Sequence, residues 1–396
     1  MKQRKRWLSL IAVLAVGALV AAGCGDDGDD ETSSTAPSTT EASSGGEVEG
    51  CGPDSATDAA SMEVGRTVAR CEPGSPAPQP LPEMTTIKVS SAFRLEFMSP
   101  LLLADSLGEL AKENLKMEFI NLKFSDAVPQ LARGEIDVAV GGIEVALFNA
   151  GQQGLPVKAV LANYFPPHAG DYDEPQTGLW CRRDSFKTPD DPDLNEVSKL
   201  KLASSVGPGS ISFYASQEEI RRQLDSDTFS LKGAQIAAVP STDILTAMQN
   251  KAVDCGILLD PIWTNVADND DYFLAASQTP GEPLGLYAFG KRLLVDKPEI
   301  GEAFARAFIR TVNTYFDGDY HQDAEVMAEI SKQTGQPVEA ITKVDSLVMD
   351  WEFREGTTTR AQQYFIDVGI ITDWKTPIAE DKVIDKRFYL KAVGAE

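Results

Sequence analysis

The stretch Asp126–Glu144, DAVPQLARGEIDVAVGGIE, decides the fold because a related stretch, DILTAMQNKAVDCGILLDP, recurs at Asp243–Pro261. A shift of 117 positions aligns the two copies without a gap, and it superimposes Asp137 on Asp254. We call these stretches the first and the second copy. A repeated unit of this kind indicates two halves built on one plan.

Each copy predicts an amphipathic helix that ends near Gly134 or Lys251. A short apolar strand follows at Val138–Val140 in the first copy and at Cys255–Leu259 in the second. Helices that alternate with buried strands are typical of α/β domains with mainly parallel sheets. The sequence therefore predicts two α/β lobes.

The residues that leave these strands predict where a ligand binds. In open α/β sheets, ligands lie beyond the carboxyl ends of the strands. The segments Gly141–Glu144 and Leu259–Trp263 leave those ends in the two copies. We expect them to form facing walls of one cleft between the lobes.

The amino-acid composition limits the kinds of molecule that the protein is expected to bind. The 396 residues carry a formal charge of −24, and 42% of them are hydrophobic. Length and composition suit about two globular domains. Nucleic-acid binding is not expected, because such binding depends on basic side chains that neutralise phosphates.

The N-terminus has the pattern of a bacterial export signal. Four basic residues between positions 2 and 6 precede the apolar run Trp7–Gly23. The following Ala21–Cys24, AAGC, resembles a lipobox, which implies that residues 1–23 are removed and that Cys24 receives the lipid anchor, including palmitate. A plain secretory signal, cleaved elsewhere, is the alternative.

Residues 24–84 are predicted to be a flexible tether because they are rich in Asp, Ser, Thr, Gly and Pro. In an exported protein, the four cysteines beyond Cys24 suggest disulfides. Cys51–Cys71 is the favoured pair, whereas Cys181 and Cys255 either pair or remain buried thiols. Metal binding is not expected, because CxxC spacing is missing.

The remaining chain divides into lobe 1 at residues 85–180, lobe 2 at residues 181–284, and a return to lobe 1 with C-terminal helices at residues 285–396. Segments Thr177–Arg182 and Pro283–Phe289 are predicted to be strands that cross between the lobes. Among the predicted helices are Leu101–Lys112 and Val338–Met349.

The turn Ser205–Ser210, SVGPGS, precedes a predicted helix at Ile211–Leu224. Free backbone amides at a helix start attract anions, and the glycines let a ligand approach the backbone. A simple N-cap turn is the alternative.

The order of motifs resembles one protein family. It runs from a strand–loop–helix through LARGEIDVAVGG, LPVKAV, KLKLASSVGPGS and KAVDCGILLDPIW to a GIITDW segment near the C-terminus. This succession, from Thr85 to Phe388, is similar to the NMT1/THI5-like ABC-transporter substrate-binding proteins, which include nitrate-, sulfonate- and taurine-type binding proteins. The resemblance implies a two-lobed periplasmic-binding fold (type II-like) that closes on a solute by hinge motion and delivers it to a permease with its ATPase.

The same resemblance implies a pocket lined by loops of both lobes. Carried over by position, the expected ligand-binding residues are Ser91, Phe93, Arg94, Phe97, Gly142, Ile143, Glu144, Asn163, Tyr164, Val206, Gly207, Gly209, Ser210, Tyr214, Asp260 and Trp263. For Trp263, packing in the core is the alternative to ligand contact.

The chemistry of the ligand stays open at this stage. Arg94 and the helix start at Ser210 favour a sulfonate-like anion. Glu96, Glu144 and Asp260 fall at predicted cleft positions, and if two of them face inward they favour an amine or pyrimidine stacked on aromatic rings.

Catalysis is not expected. The fungal pyrimidine synthases that share the fold use histidines, iron and a cysteine-rich motif, whereas His168 and His321 are the only histidines here. No cofactor is implied, and a monomer attached to the extracytoplasmic face of the cell membrane is expected. A lipoprotein that senses a ligand without transporting it is the remaining alternative.

Overall fold

The computed structural model describes residues 48–52, 55, 71–165, 177–278 and 282–395. The predicted signal peptide, Cys24 and residues 166–176, which include His168, lie outside the described residues. The described strands are β1 (Thr85–Ser91), β2 (Leu115–Asn121), β3 (Val138–Gly141), β4 (Lys158–Ala162), β5 (Tyr164–Phe165), β6 (Gly178–Arg182), β7 (Lys201–Ser204), β8 (Gln235–Ala238), β9 (Cys255–Leu258), β10 (Tyr272–Ser277), β11 (Leu286–Phe289) and β12 (Val348–Met349).

The helices lie between these strands and in the C-terminal third of the chain. They are α1 (Ser99–Ser106), α2 (Phe124–Arg133), α3 (Val145–Gln152), α4 (Ile211–Leu224), α5 (Ser241–Gln249), α6 (Pro298–Tyr315), α7 (Ala324–Thr334), α8 (Val338–Ile341), α9 (Thr357–Asp367) and α10 (Arg387–Val393). Within the described residues, none of the helices is long and apolar enough to cross a membrane.

Lobe 1 is built on a five-stranded sheet with the order β2-β1-β3-β11-β4. Strand β1 pairs in parallel with β2 and β3, whereas β11 runs antiparallel to β3 and β4. The carboxyl ends of β1, β2, β3 and β4 therefore meet at one edge of the sheet. Residues Ile87, Val89 and Val138 on these strands are fully buried, which agrees with helices covering both faces.

Lobe 2 is built on a second five-stranded sheet with the order β10-β6-β9-β7-β8. Here β7 pairs in parallel with β8 and β9, and β6 runs antiparallel to β9. Cys181 and Cys255 face each other across the β6–β9 pair and form a disulfide, so the open alternative is decided in favour of pairing.

The two predicted crossing strands are integral members of the sheets. The strands predicted in both segments are present: Thr177–Arg182 contributes β6 to the lobe 2 sheet, and Pro283–Phe289 contributes β11 to the middle of the lobe 1 sheet. Each chain crossing thus ends in an antiparallel strand, which makes both sheets mixed. Buried apolar runs suit a central strand as well as a connecting one, so the pattern alone does not separate the two.

The two copies fold alike. Helix α2 and strand β3 of the first copy correspond to α5 and β9 of the second copy, with starting residues 117 positions apart in both pairs. The two-lobed α/β architecture predicted from this repeat is confirmed.

The C-terminal helices pack against lobe 1. Fully buried Phe304 and Phe308 on α6 contact Tyr287 of β11, and Phe388 of α10 contacts Phe289. The single helix predicted at Val338–Met349 is wrong: α8 ends at Ile341, and β12 pairs with β5. The predicted helix at Leu101–Lys112 is shorter, because α1 ends at Ser106 and Gly108 adopts a left-handed conformation with φ of 84°.

The folded body begins before Thr85. The predicted Cys51–Cys71 disulfide is present, and the chain after it lies along α6. Arg310 of α6 donates hydrogen bonds to the carbonyl oxygen of Pro76 and to the carboxylates of Glu109 and Glu113. The tether expected at residues 24–84 therefore does not extend through residues 71–84, because a buried ion cluster fixes them on lobe 1.

Candidate functional site

A cleft between the lobes lies at the carboxyl ends of the strands in both sheets. Its inner pocket encloses about 60 Å³. The residues lining the inner pocket are Phe93, Phe97, Gly141, Gly142, Glu144, Tyr164, Ser204, Ser205, Val206, Ser210, Ile211, Ser212, Ser241, Ile257, Leu259, Leu284 and Gly285. Both lobes contribute, as the sequence predicted for the cleft.

The inner pocket opens into an outer cleft of about 1030 Å³. The two spaces share Phe93, Gly141, Glu144, Ser205, Val206 and Ser241. The outer cleft adds the end of β2, the start of α2 and the end of α7. Its charged lining residues besides Glu144 are Arg94, Lys123 and Asp126.

Glu144 is the buried carboxyl group of the inner pocket. It follows β3 and precedes α3, and only 6% of the residue is exposed. Its Oε1 accepts one long hydrogen bond, of 3.4 Å, from the backbone amide of Gly142. Burial raises the pKa of Glu144 to about 7, because few donors replace the lost water.

Three aromatic rings form one wall of the inner pocket. Phe97 stacks on Tyr164 with ring centroids 5.1 Å apart and an angle of 25° between the planes. Phe93 meets Phe97 edge-on at 5.8 Å. Asn163 holds this wall in place, because its Nδ2 donates to the carbonyl oxygen of Phe97 at 2.8 Å while Tyr287 donates its hydroxyl to Asn163 Oδ1 at 3.1 Å.

Ser210 directly precedes α4 and belongs to the part of the pocket lining that lobe 2 contributes. Its hydroxyl accepts a hydrogen bond from the backbone amide of Ser212 at 3.3 Å, so it acts as the N-cap. Ser210 also lines the inner pocket. The N-cap interpretation of the SVGPGS turn is therefore confirmed at this residue, and ligand binding by the turn stays a prediction.

Gly142 and Gly209 let the lobes touch beside the pocket. A Cβ on Gly142 in lobe 1 would lie 3.6 Å from Ile211 Cγ2 of lobe 2, and one on Gly209 would lie 3.4 Å from Val145 Cγ2 of lobe 1. A Cβ at either position would thus make an ordinary van der Waals contact with the other lobe, which shows how closely the lobes approach beside the pocket.

Arg94 lines the outer cleft and not the inner pocket. Its guanidinium lies over the ring of Phe119 at 4.5 Å, and its Nη1 donates to the carbonyl oxygen of Gln333 at 3.3 Å. These two contacts hold the Arg94 side chain at the rim of the outer cleft.

Asp260 and Trp263 interact with each other, and neither is among the residues lining the inner pocket or the outer cleft. The Trp263 indole donates to Asp260 Oδ1 at 2.6 Å, and its ring stacks on Trp180 of β6 with centroids 6.1 Å apart. Burial, reinforced by the nearby Glu96 carboxylate, raises the pKa of Asp260 to about 6. The packing alternative stated for Trp263 describes its position.

Glu96 is likewise absent from the described linings of the inner pocket and the outer cleft. It is 1% exposed, and its Oε1 accepts hydrogen bonds from the hydroxyl of Tyr320 and from His321 Nε2. Of the three acidic residues considered for the cleft, only Glu144 is among the described residues that line the inner pocket or the outer cleft.

The other expected pocket residues are not among the described residues that line the inner pocket or the outer cleft. Ser91 accepts the amide of Phe93, Ile143 is fully buried, and Gly207 accepts a hydrogen bond from Ser204 within the turn. Tyr214 donates its hydroxyl to Glu282 at 3.3 Å, and Glu282 also accepts hydrogen bonds from Thr357 and Arg360 of α9. That network joins lobe 2 to the C-terminal helices.

Sequence reasoning missed Ser241, Ile257, Leu284 and Gly285 in the pocket lining. The repeat contains the signal for Ser241, because this first residue of α5 corresponds to Phe124, the first residue of α2, which lines the outer cleft. Leu284 and Gly285 directly precede β11, and the pairing of β11 within the lobe 1 sheet brings them to the pocket. From the sequence, this segment is predicted to be a strand that crosses between the lobes.

Comparison with solved structures identifies the fold. The ligand-binding component of an ABC-type import system from Staphylococcus aureus, with zinc bound, aligns at a TM-score of 0.57 and 14% identity, over 78% of this chain and 99% of that one. The nitrate-binding protein NrtA from Synechocystis aligns at 0.55 and 15% identity, over 79% and 89% of the two chains. The alkanesulfonate-binding protein SsuA from Xanthomonas axonopodis, bound to MOPS, aligns at 0.52 and 15%, over 73% and 94%.

This is the fold of periplasmic solute-binding proteins. The fold prediction made from the ordered motifs is confirmed. No family model matches the chain, and no curated protein matches it. Among the residues that the structure describes, no group of three or more His, Cys, Asp or Glu side chains is placed to hold a metal ion.

Proposed function

We propose that the protein is an extracytoplasmic solute-binding protein that captures a small organic molecule, a sulfonate-like anion or an amine or pyrimidine, and delivers it to an ABC importer. The observation that carries the proposal is the pocket between the lobes, at the carboxyl ends of both sets of parallel strands. Its buried aromatic wall and its few polar groups are typical of small-molecule sites.

Attachment to the membrane through Cys24 belongs to the same proposal. The lipobox-like sequence supports it, since one lipid-modified cysteine can keep a protein at the membrane surface. Cys24→Ser is expected to move the protein from the membrane fraction to the soluble fraction, as followed by immunoblotting. Membrane association that persists in this variant would contradict the anchor.

Solute binding is tested by thermal shift on the full chain in mild detergent. The panel contains taurine, alkanesulfonates, nitrate, polyamines, thiamine and aminopyrimidines. A ligand at one hundred times its dissociation constant is expected to stabilise the folded state by about 2.7 kcal/mol.

Two matched variants locate the binding. Ser205→Phe places a ring in the pocket and is expected to abolish the shift. Ser226→Phe adds the same ring beyond the opposite end of α4 and is expected to leave the shift unchanged. Shifts that survive in Ser205→Phe would place the site elsewhere.

Transport is tested separately. Cells that lack the gene are expected to lose uptake of the radiolabelled solute that binds, and the wild-type gene is expected to restore it. Binding with unchanged uptake would show that the protein senses its ligand instead of delivering it.

A further inference from the structure

The inner pocket has one charged end. Among its described lining residues, Glu144 is the only acidic residue, and Lys, Arg and His are missing from the same set. Arg94, Lys123 and Asp126 lie farther out in the outer cleft, and the described lining segments of lobe 2 contribute serines, Thr242 and apolar residues, all uncharged. A fully ionised anion in the inner pocket would therefore meet a carboxyl group and no basic side chain.

Glu144 requires a hydrogen-bond donor. A carboxylate offers about four acceptor positions, and the described residues supply Glu144 with a single long bond from Gly142. A buried charge of this kind is costly unless it is paired. Because the shared boundary of the two spaces includes Glu144, a solute that enters from the outer cleft reaches it directly.

The aromatic wall adds a second requirement. Phe93, Phe97 and Tyr164 line the pocket together with Glu144. Aromatic faces attract cations and also stack on flat rings. Desolvation and the Asp260 carboxylate both raise the pKa of Tyr164, so its ring stays neutral beside a cation.

The volume of the inner pocket limits the size of the chemical group that can enter it. A water molecule needs roughly 10–15 Å³ of such space, so the inner 60 Å³ holds on the order of five non-hydrogen atoms. This is the size of an aminomethyl, amidine or small heterocyclic group. The remainder of the solute would lie in the outer cleft.

Resting on the proposed function, we infer that the solute is an organic cation or a nitrogen heterocycle, whose amine, amidine or ring N–H group donates to Glu144 and packs against the aromatic wall. One inward carboxyl group is enough for this assignment, because the inner pocket lacks a basic residue to oppose it. Glu144 is then the residue that determines specificity.

Isothermal titration calorimetry with four probes tests the inference. Benzamidine and benzylamine are aromatic cations, and benzenesulfonate and taurine carry sulfonate groups. We expect measurable binding of benzamidine or benzylamine and no binding of benzenesulfonate. Glu144→Gln is expected to weaken binding of the cation at least tenfold, and Glu118→Gln, an exposed glutamate on β2, is the control that leaves it unchanged.

The pH dependence of the wild-type protein gives a second readout that needs no variant. Benzamidine stays cationic between pH 5.5 and about 8.5, so its affinity is expected to rise across this range as Glu144 ionises with a pKa of about 7. An anion bound to protonated Glu144 would show the opposite slope.

Two sets of results overturn the inference. Binding of benzenesulfonate that tightens toward low pH, without binding of either cation, would reverse the ligand class and leave the solute-binding function standing. Cation binding that Glu144→Gln leaves intact would remove Glu144 from the site. If the four probes and the wider thermal-shift panel all fail to bind, the proposed function itself fails.

Discussion

The two copies of the repeat share a scaffold and differ in the residues that come after their strands. In the first copy, Asp137 accepts the backbone amide of Lys88 on β1 at 2.8 Å and an Arg292 guanidinium hydrogen at 2.8 Å. In the second copy, Asp254 accepts the amide of Lys201 on β7 at 2.9 Å and an Arg182 hydrogen at 3.1 Å. The repeated aspartate thus secures the neighbouring strand in each lobe.

Beyond the strands the copies diverge. The first copy continues into Gly142 and Glu144, which line the inner pocket. The second copy continues into Asp260 and Trp263, whose polar atoms bond to each other and whose indole packs on Trp180. The comparison indicates that the two copies share their backbone support and differ in what they bring to the pocket: the first copy lines it with Gly142 and Glu144, and the second with the apolar Ile257 and Leu259.

The largest expected effect on stability comes from Trp263, the residue after the second copy that packs in the core. Trp263→Ala removes a ring that is 6% exposed, and we expect a loss of about 4 kcal/mol in the free energy of unfolding. Phe93→Ala, at the half-buried ring beside the pocket, is expected to cost less than about 1.5 kcal/mol. Urea unfolding measures both, and a loss below about 1 kcal/mol for Trp263→Ala would contradict its core role.

The next largest effect on stability is expected from the aspartates that the two copies share, Asp137 and Asp254. Asp137→Ala is expected to cost about 3 kcal/mol, because it leaves a strand amide and an arginine without their acceptor. Asp254→Ala is expected to cost about 2 kcal/mol, since the Asp254 side chain is 23% exposed and that of Asp137 only 3%. The exposed helix residues Asp126 and Asp243 serve as alanine controls within about 0.5 kcal/mol. Equal losses at all four positions would refute the shared role.

Glu144, at the end of the first copy, makes the stability of the protein sensitive to pH. Its folded pKa of about 7 lies above its unfolded value, so the folded state holds the proton more tightly and loses stability as pH rises through this interval. From pH 5 to pH 8, the wild type is expected to lose about 2.5 kcal/mol relative to Glu144→Gln. Glu118→Gln is the control, and parallel stability curves for wild type and Glu144→Gln would contradict the buried carboxyl group.

The smallest effect concerns the ends of the two repeated helices. Gly134 has φ of 74°, and Lys251, its counterpart, has φ of 59°. Lys251→Gly is expected to stabilise the protein by about 0.5 kcal/mol after loss of its exposed ion pair with Asp184. Gly134→Ala is expected to destabilise it by about 1 kcal/mol. Thermal unfolding measures both changes in stability. Changes of the same sign in the two variants would show that the two helix ends do not share the same preference for glycine.

The repeat made much of this fold predictable, because its signals are local. The apolar spacing of the helices, Gly134 and the apolar strands after Asp137 and Asp254 all act within about twenty residues of one another. Topology then placed the pocket, since loops such as Ser91–Phe97 and Gly141–Glu144 leave carboxyl ends at the same edge.

The direction of individual loop side chains was not predictable in the same way. Trp263 turns to the core because Trp180, distant in sequence, offers it a stacking surface, and Glu96 turns inward because His321 and Tyr320 donate to it. These partners come from segments whose positions a local pattern does not define. Glu144 meets no such partner among the described residues, which is why it remains at the pocket.

The attachment of residues 71–84 to α6 has a mechanical consequence. The backbone amide of Leu81 donates to the carbonyl oxygen of Glu113, and β1 starts at Thr85 on the sheet edge opposite the cleft. With the proposed lipid anchor at Cys24, tension on the chain before Cys51 would therefore load the rear of lobe 1, through the Cys51–Cys71 link and Arg310. Such an anchor would pull on the side of lobe 1 that lies away from the pocket lining.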